Sequence, residues 1–215
     1  MKEKTFKIYK TIKSKIHLSE QLEDPKNSQL PDPFCFNNKR FKAFVLGADP
    51  SNFSENKNTK LLITVFGIGS GDNRYFNGIL KNLKIIGFNL EDIYVQNLIP
   101  FYMKGETGGN KYWDEIAQLC IPYLRDEFDL VDRSRKKPVL ITAERILKVL
   151  LNNNQKLRKP GEYYRVSDKN CPYVPVEPEQ NKLQRRLLPL YRHRRYDLDK
   201  GEWKMYAKLL HSFFD

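Results

Sequence analysis

Short apolar runs alternate along this chain with segments whose apolar residues are spaced three and four apart. The runs are short enough for buried strands and lie at 44–46, 61–66, 92–97, 138–142 and 187–191. The helix-spaced segments lie at 75–86, 113–131, 143–151 and 202–214. This alternation is typical of a parallel sheet covered by helices. We therefore predict an α/β fold, a three-layer α/β/α sandwich around a central, mostly parallel sheet of about four strands.

The length of 215 residues suits one domain, and a hydrophobic content of 40% is enough for a core and excludes a wholly disordered chain. We assign the domain to residues 41–215, with a loop-rich, proline-containing insertion at about 152–182. Ile8, Ile12 and Ile16 form one stripe among lysines. Residues 1–40 are therefore predicted to be a basic helix and a loop packed on the body of the domain.

Several classes of protein are excluded by what the sequence lacks. No apolar run approaches the roughly 20 residues of a membrane helix, and the first residues do not resemble a signal peptide. Three cysteines cannot form a disulfide framework. The glycine-rich run at 67–71 lacks the Gly-Lys-Ser/Thr of a phosphate-binding loop. We expect a soluble, cytoplasmic monomer that does not bind membranes and that associates with the nucleoid if the protein is bacterial.

The positive charge is clustered. The net charge is +12, yet residues 89–132 hold nine acids and three bases. Residues 1–16 hold six lysines and one acid, and residues 181–195 hold six lysines and arginines and no acid. A single basic run can be only a solvated face. Leucines and a tyrosine tie the 181–195 run to the core, however, so the run indicates a polyanionic partner.

Four chemically useful side chains follow predicted strands, where ligands bind in parallel sheets. They are Asp49, Phe66, Asn97 and His193. Taken singly, Asp49 reads as a turn former, Phe66 as a core residue, Asn97 as a turn cap and His193 as part of a phosphate-binding patch. Together they supply a carboxylate, a flat apolar face, an amide and an imidazole. These groups can bind one base flipped out of a nucleic acid and release it.

The same segments resemble the uracil-DNA glycosylase superfamily over about residues 41–214. Val-Leu-Gly-Ala-Asp-Pro at 45–50 is similar to the family's first motif, Gly-Gln-Asp-Pro-Tyr in its best-known branch. Ile-Thr-Val-Phe at 63–66 resembles the strand with the stacking phenylalanine, and 93–100 resembles the strand with the base-reading asparagine. Leu-Pro-Leu-Tyr-Arg-His-Arg at 188–194 stands where the family has its late His-Pro-Ser motif, but lacks the Pro-Ser.

The resemblance implies roles for individual residues. The implied catalytic residues are Asp49, which positions water, and His193, which binds the departing base. The implied base-binding residues are Ala48, Ser51, Phe66 and Asn97, with Ser51 in place of the tyrosine that excludes thymine. The implied DNA contacts are Arg192, Arg194 and Arg195 on phosphates, and Tyr196 or Leu198 as the side chain inserted into the duplex.

The resemblance also implies a function without a cofactor. Branches with an iron-sulfur cluster use four cysteines, whereas this chain has Cys35, Cys120 and Cys171 and no Cys-x-x-Cys, so we predict neither cluster nor zinc. We expect a DNA glycosylase that hydrolyses the N-glycosidic bond of uracil or a related damaged base in base excision repair. The alternatives are a glycosylase for another lesion, such as a thymine mismatch or a deaminated purine, and a catalytically silent nucleic-acid-binding protein of the same fold.

Overall fold

A central five-stranded sheet organises the protein, which is described here from a computed structural model of residues 2–23, 30–50, 62–69, 76–165 and 176–214. The strands are β1 Phe34–Cys35, β2 Ala43–Gly47, β3 Ile93–Asn97, β4 Val139–Ile141 and β5 Leu187–Pro189. Their order across the sheet is β1-β3-β2-β4-β5. The four strands β2 to β5 are parallel, and only β1 pairs antiparallel, at the β3 edge. The prediction of an α/β fold with a central, mostly parallel sheet is confirmed.

The four parallel strands are buried on both faces. Every residue of β2, β3, β4 and β5 is buried. Side chains alternate between the two faces of a strand, so helices or loops must cover both sides of the sheet. On one side Phe44 stacks on Phe128 with ring centroids 3.9 Å apart. Its neighbour Val45 points to the opposite side and is also fully buried.

The run at 61–66 does not form the strand that its apolar pattern predicts. Leu61 lies outside the described residues, and Thr64 makes a single bridge to Asp32. Val65–Gly67 then form a 3₁₀ turn. The run turns instead of extending because Phe66 and Gly67 both adopt left-handed backbone conformations, with φ values of 59° and 68°. Strand β1, only two residues long, is absent from the prediction.

Seven α-helices lie among the described residues, and from β2 onward at least one of them separates each strand from the next. They are α1 Lys2–Lys13, α2 Ile16–Ser19, α3 Asn77–Ile85, α4 Trp113–Val131, α5 Glu144–Leu150, α6 Pro160–Tyr164 and α7 Lys204–Ser212. Helix α4 continues through Pro122. The predicted insertion at 152–182 contains α6, and residues 166–175 of it lie outside the described part of the chain. Within the described residues, no helix combines the length and the apolarity that crossing a bilayer requires.

Helix α1 of the basic N-terminal segment packs on the body of the domain through part of its apolar stripe. Helix α1 lies against α4, with Ile8 and Ile12 1% and 0% exposed. Ile16 departs from the predicted stripe and is 81% exposed. The reason is that α1 ends at Lys13, so Ile16 begins the separate helix α2 in a new orientation. Leu18 of α2 is fully buried in its place.

Candidate active site

The carboxyl ends of the parallel strands place most of the predicted site residues along one edge of the sheet. Asn97 ends β3 and is directly paired with Gly47, the last residue of β2. Asp49 follows Gly47 by two residues. Beyond β5, the backbone N–H of Arg192 donates to the carbonyl of Thr142, the residue after β4. The residues after β2, β3, β4 and β5 are thus neighbours at this edge, where ligands of parallel sheets bind.

Asn97 carries an unsatisfied acceptor. The residue is 2% exposed, and its side-chain Oδ1 has no hydrogen-bond partner among the residues described. Its backbone N–H donates to Oε1 of Gln96, whose Nε2 in turn donates to Glu127. A buried polar atom without a partner costs about 1–3 kcal/mol. Such an atom at a strand end is therefore suited to a ligand that brings a hydrogen-bond donor.

Phe66 lies beside this acceptor. A Cβ at residue 47 would stand 2.2 Å from Asn97 Oδ1 and 2.6 Å from Phe66 Cζ, so the amide and the ring edge converge over Gly47. The ring also packs on Phe76, with centroids 5.5 Å apart. The left-handed φ of 59° is unusual for a bulky residue, and such strain concentrates at functional sites. The structure therefore brings the predicted stacking and base-reading residues together.

Asp49 is held by two donors that no sequence pattern indicates. Its Oδ2 accepts hydrogen bonds from Thr107 Oγ1 at 2.6 Å and from Trp113 Nε1 at 2.8 Å. Both donors are more than 50 residues away along the chain, so no local pattern links them to Asp49. The two bonds hold Oδ2 of the carboxylate in place. Asp49 itself is half-buried.

Two further predicted base-binding residues, Ala48 and Ser51, lie close to Asp49 in the sequence. Ala48 is half-buried, and its carbonyl accepts a hydrogen bond from the backbone N–H of Ile99 at 2.9 Å. That bond extends the β2–β3 pairing past the strand ends. Ser51, predicted at the base-binding site, lies outside the described residues.

His193 is exposed in a cleft between α3 and the chain after β5. The cleft has a volume of about 880 Å³, and its other lining residues are Asn77, Gly78, Lys81, Arg192, Arg194 and Asp197. His193 Nδ1 accepts a hydrogen bond from the backbone N–H of Arg195 at 3.2 Å. In the neutral imidazole this bond leaves the proton on Nε2, which can donate to a ligand. Phe76 packs on Phe66 and directly precedes α3. It therefore lies between the turn that carries Phe66 and the cleft that contains His193.

Leu198 does not offer a side chain to DNA. It is 1% exposed, and its backbone N–H donates to Oδ1 of the buried Asn82 at 2.9 Å. The prediction of Leu198 as the inserted residue is therefore wrong, because its side chain belongs to the core. Tyr196, the other predicted residue, is half-buried and packs near Tyr164 and Trp203.

The basic run at 181–195, whose charges are clustered in the sequence, is divided by β5 in the structure. The first three cations precede β5 and lie at its amino end: Lys182, Arg185 and Arg186. The last three follow β5 and are exposed beside His193: Arg192, Arg194 and Arg195. Only the second group is therefore at the edge that carries Asn97.

Arg185 has a structural role instead. The residue is fully buried, and its guanidinium bonds Asp132 at 2.6 Å and Asp129 at 2.9 Å. Burial alone would raise the pKa of Asp132, but hydrogen bonds from Ser134 and Arg185 outweigh it and hold that pKa below its usual range. The pKa of Asp129 is also lowered, against the effect of burial, by Arg135 and Arg185. The charge of Arg185 is thus neutralised inside the protein.

The described residues contain no group of three His, Cys, Asp or Glu side chains arranged to hold a metal ion. Cys35 and Cys120 are free thiols, and burial raises the pKa of both. Cys171 lies outside the described residues, as do the last two residues of the glycine-rich run at 67–71. Gly67 belongs to the turn that carries Phe66, so the described part of this run is a backbone turn beside the site.

No protein-family model matches the chain, and no curated protein matches its sequence significantly. The structure defines an α/β fold with a central, mostly parallel sheet, and Asn97 and Asp49 lie at the carboxyl edge of that sheet. The resemblance to the uracil-DNA glycosylase superfamily rests on the motifs around Asp49, Phe66, Asn97 and His193.

Proposed function

We propose that this protein is a DNA glycosylase that hydrolyses the N-glycosidic bond of uracil or a related damaged base. The observation that carries the proposal is the unpartnered, buried Oδ1 of Asn97 beside the ring of Phe66. An enzyme that acts on a flipped base needs an aromatic face and a hydrogen-bonding group for the base's Watson-Crick edge. Uracil presents a ring N–H between two carbonyls. Its N–H would satisfy Asn97 Oδ1, and the Asn97 amide N–H would donate to a carbonyl.

Asp49 and His193 would act on the two halves of the breaking bond. As the bond to the sugar breaks, positive charge develops on the sugar and negative charge on the base. The Asp49 carboxylate, oriented by Thr107 and Trp113, would stabilise the sugar and position the attacking water. Water supplies the hydroxyl that bonds to the sugar carbon, and the departing base takes the proton. His193 Nε2–H would hydrogen-bond the base as its negative charge develops.

Entry of a base requires Phe66 to move. Its ring edge and Asn97 Oδ1 now converge on one point over Gly47, which leaves no room for a base between them. A base that approaches from the strand ends would displace the ring and stack on its face. The strained backbone at Phe66 is consistent with a residue that changes position on binding.

The exposed arginines after β5 would hold the DNA backbone. Arg192, Arg194 and Arg195 lie next to His193 on the exposed surface. Arginines bind phosphates through paired N–H groups, and binding of this kind weakens as salt increases. These contacts would orient the strand while Asn97 selects the base.

The direct test is incubation of the protein with a single-stranded oligonucleotide that contains one uracil, followed by alkaline cleavage. We expect strand breaks at the uracil and none in the matched oligonucleotide with thymine. Oligonucleotides with a thymine mismatch or a deaminated purine, run alongside, identify an enzyme of different specificity. Binding to every oligonucleotide without cleavage of any would contradict the proposal and indicate a silent nucleic-acid-binding protein.

A further inference from the structure

Arg145, the second residue of α5, contacts both segments that hold the Asp49 carboxylate. Its guanidinium donates to the carbonyl of Thr107 and, at 2.8 Å, to the carbonyl of Asn110. It also lies over the ring of Trp113, 5.0 Å from the centroid. Thr107 and Trp113 are the two donors to Asp49 Oδ2. One side chain therefore holds the loop that carries the first donor and the ring that carries the second.

The guanidinium itself is anchored. Its Nε donates to Asp114 Oδ1 at 2.6 Å, and the side chain is 25% exposed. Burial alone would raise the pKa of Asp114, but hydrogen bonds from Arg145 and Lys148 hold it below its usual range, so Asp114 is ionised at neutral pH. Because Asp114 is the residue after Trp113, the ion pair also fixes the start of α4. Each of the three guanidinium nitrogens thus donates to a defined acceptor.

We infer that Arg145 is a positioning residue that sets the orientation of the Asp49 carboxylate through Thr107 and Trp113. This inference deepens the proposed function and rests on it for its kinetic consequence. The role needs the planar fork of an arginine, because a lysine ammonium is a single point charge and cannot make the same set of contacts. A carboxylate held by two donors keeps one orientation toward water and sugar, and misplacement of about 1 Å can cost about 100-fold in rate.

The first experiment follows the indole N–H of Trp113, which donates to Asp49, and does not depend on any enzymatic activity. The chain has only two tryptophans, and the Nε1–H of the other, Trp203, donates to the carbonyl of Arg195. Each indole N–H gives its own resonance in a ¹H–¹⁵N spectrum. In Arg145→Gln we expect the Trp113 resonance to shift and exchange faster with water, while the Trp203 resonance stays unchanged. Asp49→Asn identifies the Trp113 resonance.

The second experiment measures single-turnover base release and DNA affinity for Arg145→Gln, Arg145→Lys and Thr107→Val. We expect about a 10- to 100-fold slower release in Arg145→Gln with DNA affinity retained, and only partial recovery in Arg145→Lys. Thr107→Val removes one donor and keeps the side-chain shape, so it should slow release without altering Arg145. The matched control is Arg133→Gln, an exposed residue beyond the far end of α4.

The outcomes separate this inference from the proposed function. Wild-type activity with full activity in Arg145→Gln would overturn the inference and leave the glycosylase proposal standing. A wild type without activity on any damaged base overturns the proposed function, and the indole resonance then decides whether Arg145 orients the donors of Asp49. An unchanged Trp113 resonance in Arg145→Gln would overturn the inference in either case. If Arg145→Gln does not fold, Arg145→Lys carries the same comparisons.

Discussion

Gly47 and Asn97 face each other across the β2–β3 ladder, and Asn97 Oδ1 lies 2.2 Å from the position that a Cβ would take at residue 47. Only glycine leaves space for the amide there. We expect Gly47→Ala to displace both Asn97 and the ring of Phe66, and to lower the free energy of unfolding by about 1–3 kcal/mol.

Base release should be lost in Gly47→Ala at temperatures where the variant is still folded. Denaturant unfolding and the oligonucleotide cleavage assay measure the two effects. The matched control is Gly201→Ala, where a Cβ would meet no atom within 4 Å. Wild-type activity in Gly47→Ala would show that the Asn97 amide is not part of the site.

Asn97→Asp tests whether the amide reads the base. An amide can both donate and accept, whereas an ionised carboxylate only accepts. We expect the variant to discriminate less well between uracil and cytosine, measured as the ratio of release rates from paired oligonucleotides. Asn154→Asp, at an exposed loop position, introduces the same charge away from the site. An unchanged ratio in Asn97→Asp would remove Asn97 from the proposed readout.

The parallel strands and their shared edge could be predicted because both follow from local patterns. A buried strand in a parallel sheet appears as a short apolar run, and strand ends in such a sheet meet on one side. Asn97 could be placed at the edge for this reason. The apolar run before Phe66 has the same pattern, but the chain turns there because two consecutive residues adopt positive φ. The apolar pattern alone does not distinguish a run that forms a strand from a run that turns.

The support of the site could not be predicted because its contacts join distant segments. Asp49 is 58 residues from Thr107 and 64 from Trp113, and Arg145 is 31 residues from Asp114. For the basic run at 181–195, closeness in the sequence does not predict closeness in space. Its charges are adjacent in the sequence, yet β5 separates them, and Arg185 is fully buried against two aspartates.

Asp49→Asn tests the proposed charge on the catalytic carboxylate. The asparagine keeps an oxygen that can accept hydrogen bonds from Thr107 and Trp113, but it carries no negative charge. We expect base release to slow by about 10²- to 10⁴-fold, as for loss of a general base. DNA affinity should be retained, because the charge acts on the breaking bond. Asp126→Asn, at an exposed position of α4, is the control, and equal rates in both variants would exclude this role for Asp49.

Arg194→Gln tests which part of the basic run touches nucleic acid. We expect weaker DNA binding in this variant. The slope of the logarithm of the binding constant against the logarithm of the salt concentration should be shallower by about one, as for one lost phosphate contact. Arg186→Gln removes the same charge at the opposite end of β5, where Arg186 lies 3.6 Å from Glu177. It should leave DNA binding close to that of the wild type. Titrations at several salt concentrations measure both, and equal losses in the two variants would contradict the proposed DNA surface.

Arg185→Met tests the buried ion pairs as a source of stability. Removing the cation leaves Asp129 and Asp132 without their buried partner, which typically costs about 3–5 kcal/mol. Both carboxyls have lowered pKa values in the folded protein, so their contribution is present above the unfolded pKa of about 4 and is lost as pH falls through the folded values. The difference in unfolding free energy between wild type and variant should therefore be large at pH 7 and shrink below about pH 4. Urea unfolding across this range measures it, with Arg133→Gln as the exposed control, and a difference that grows on acidification would show that these aspartates are not paired with Arg185.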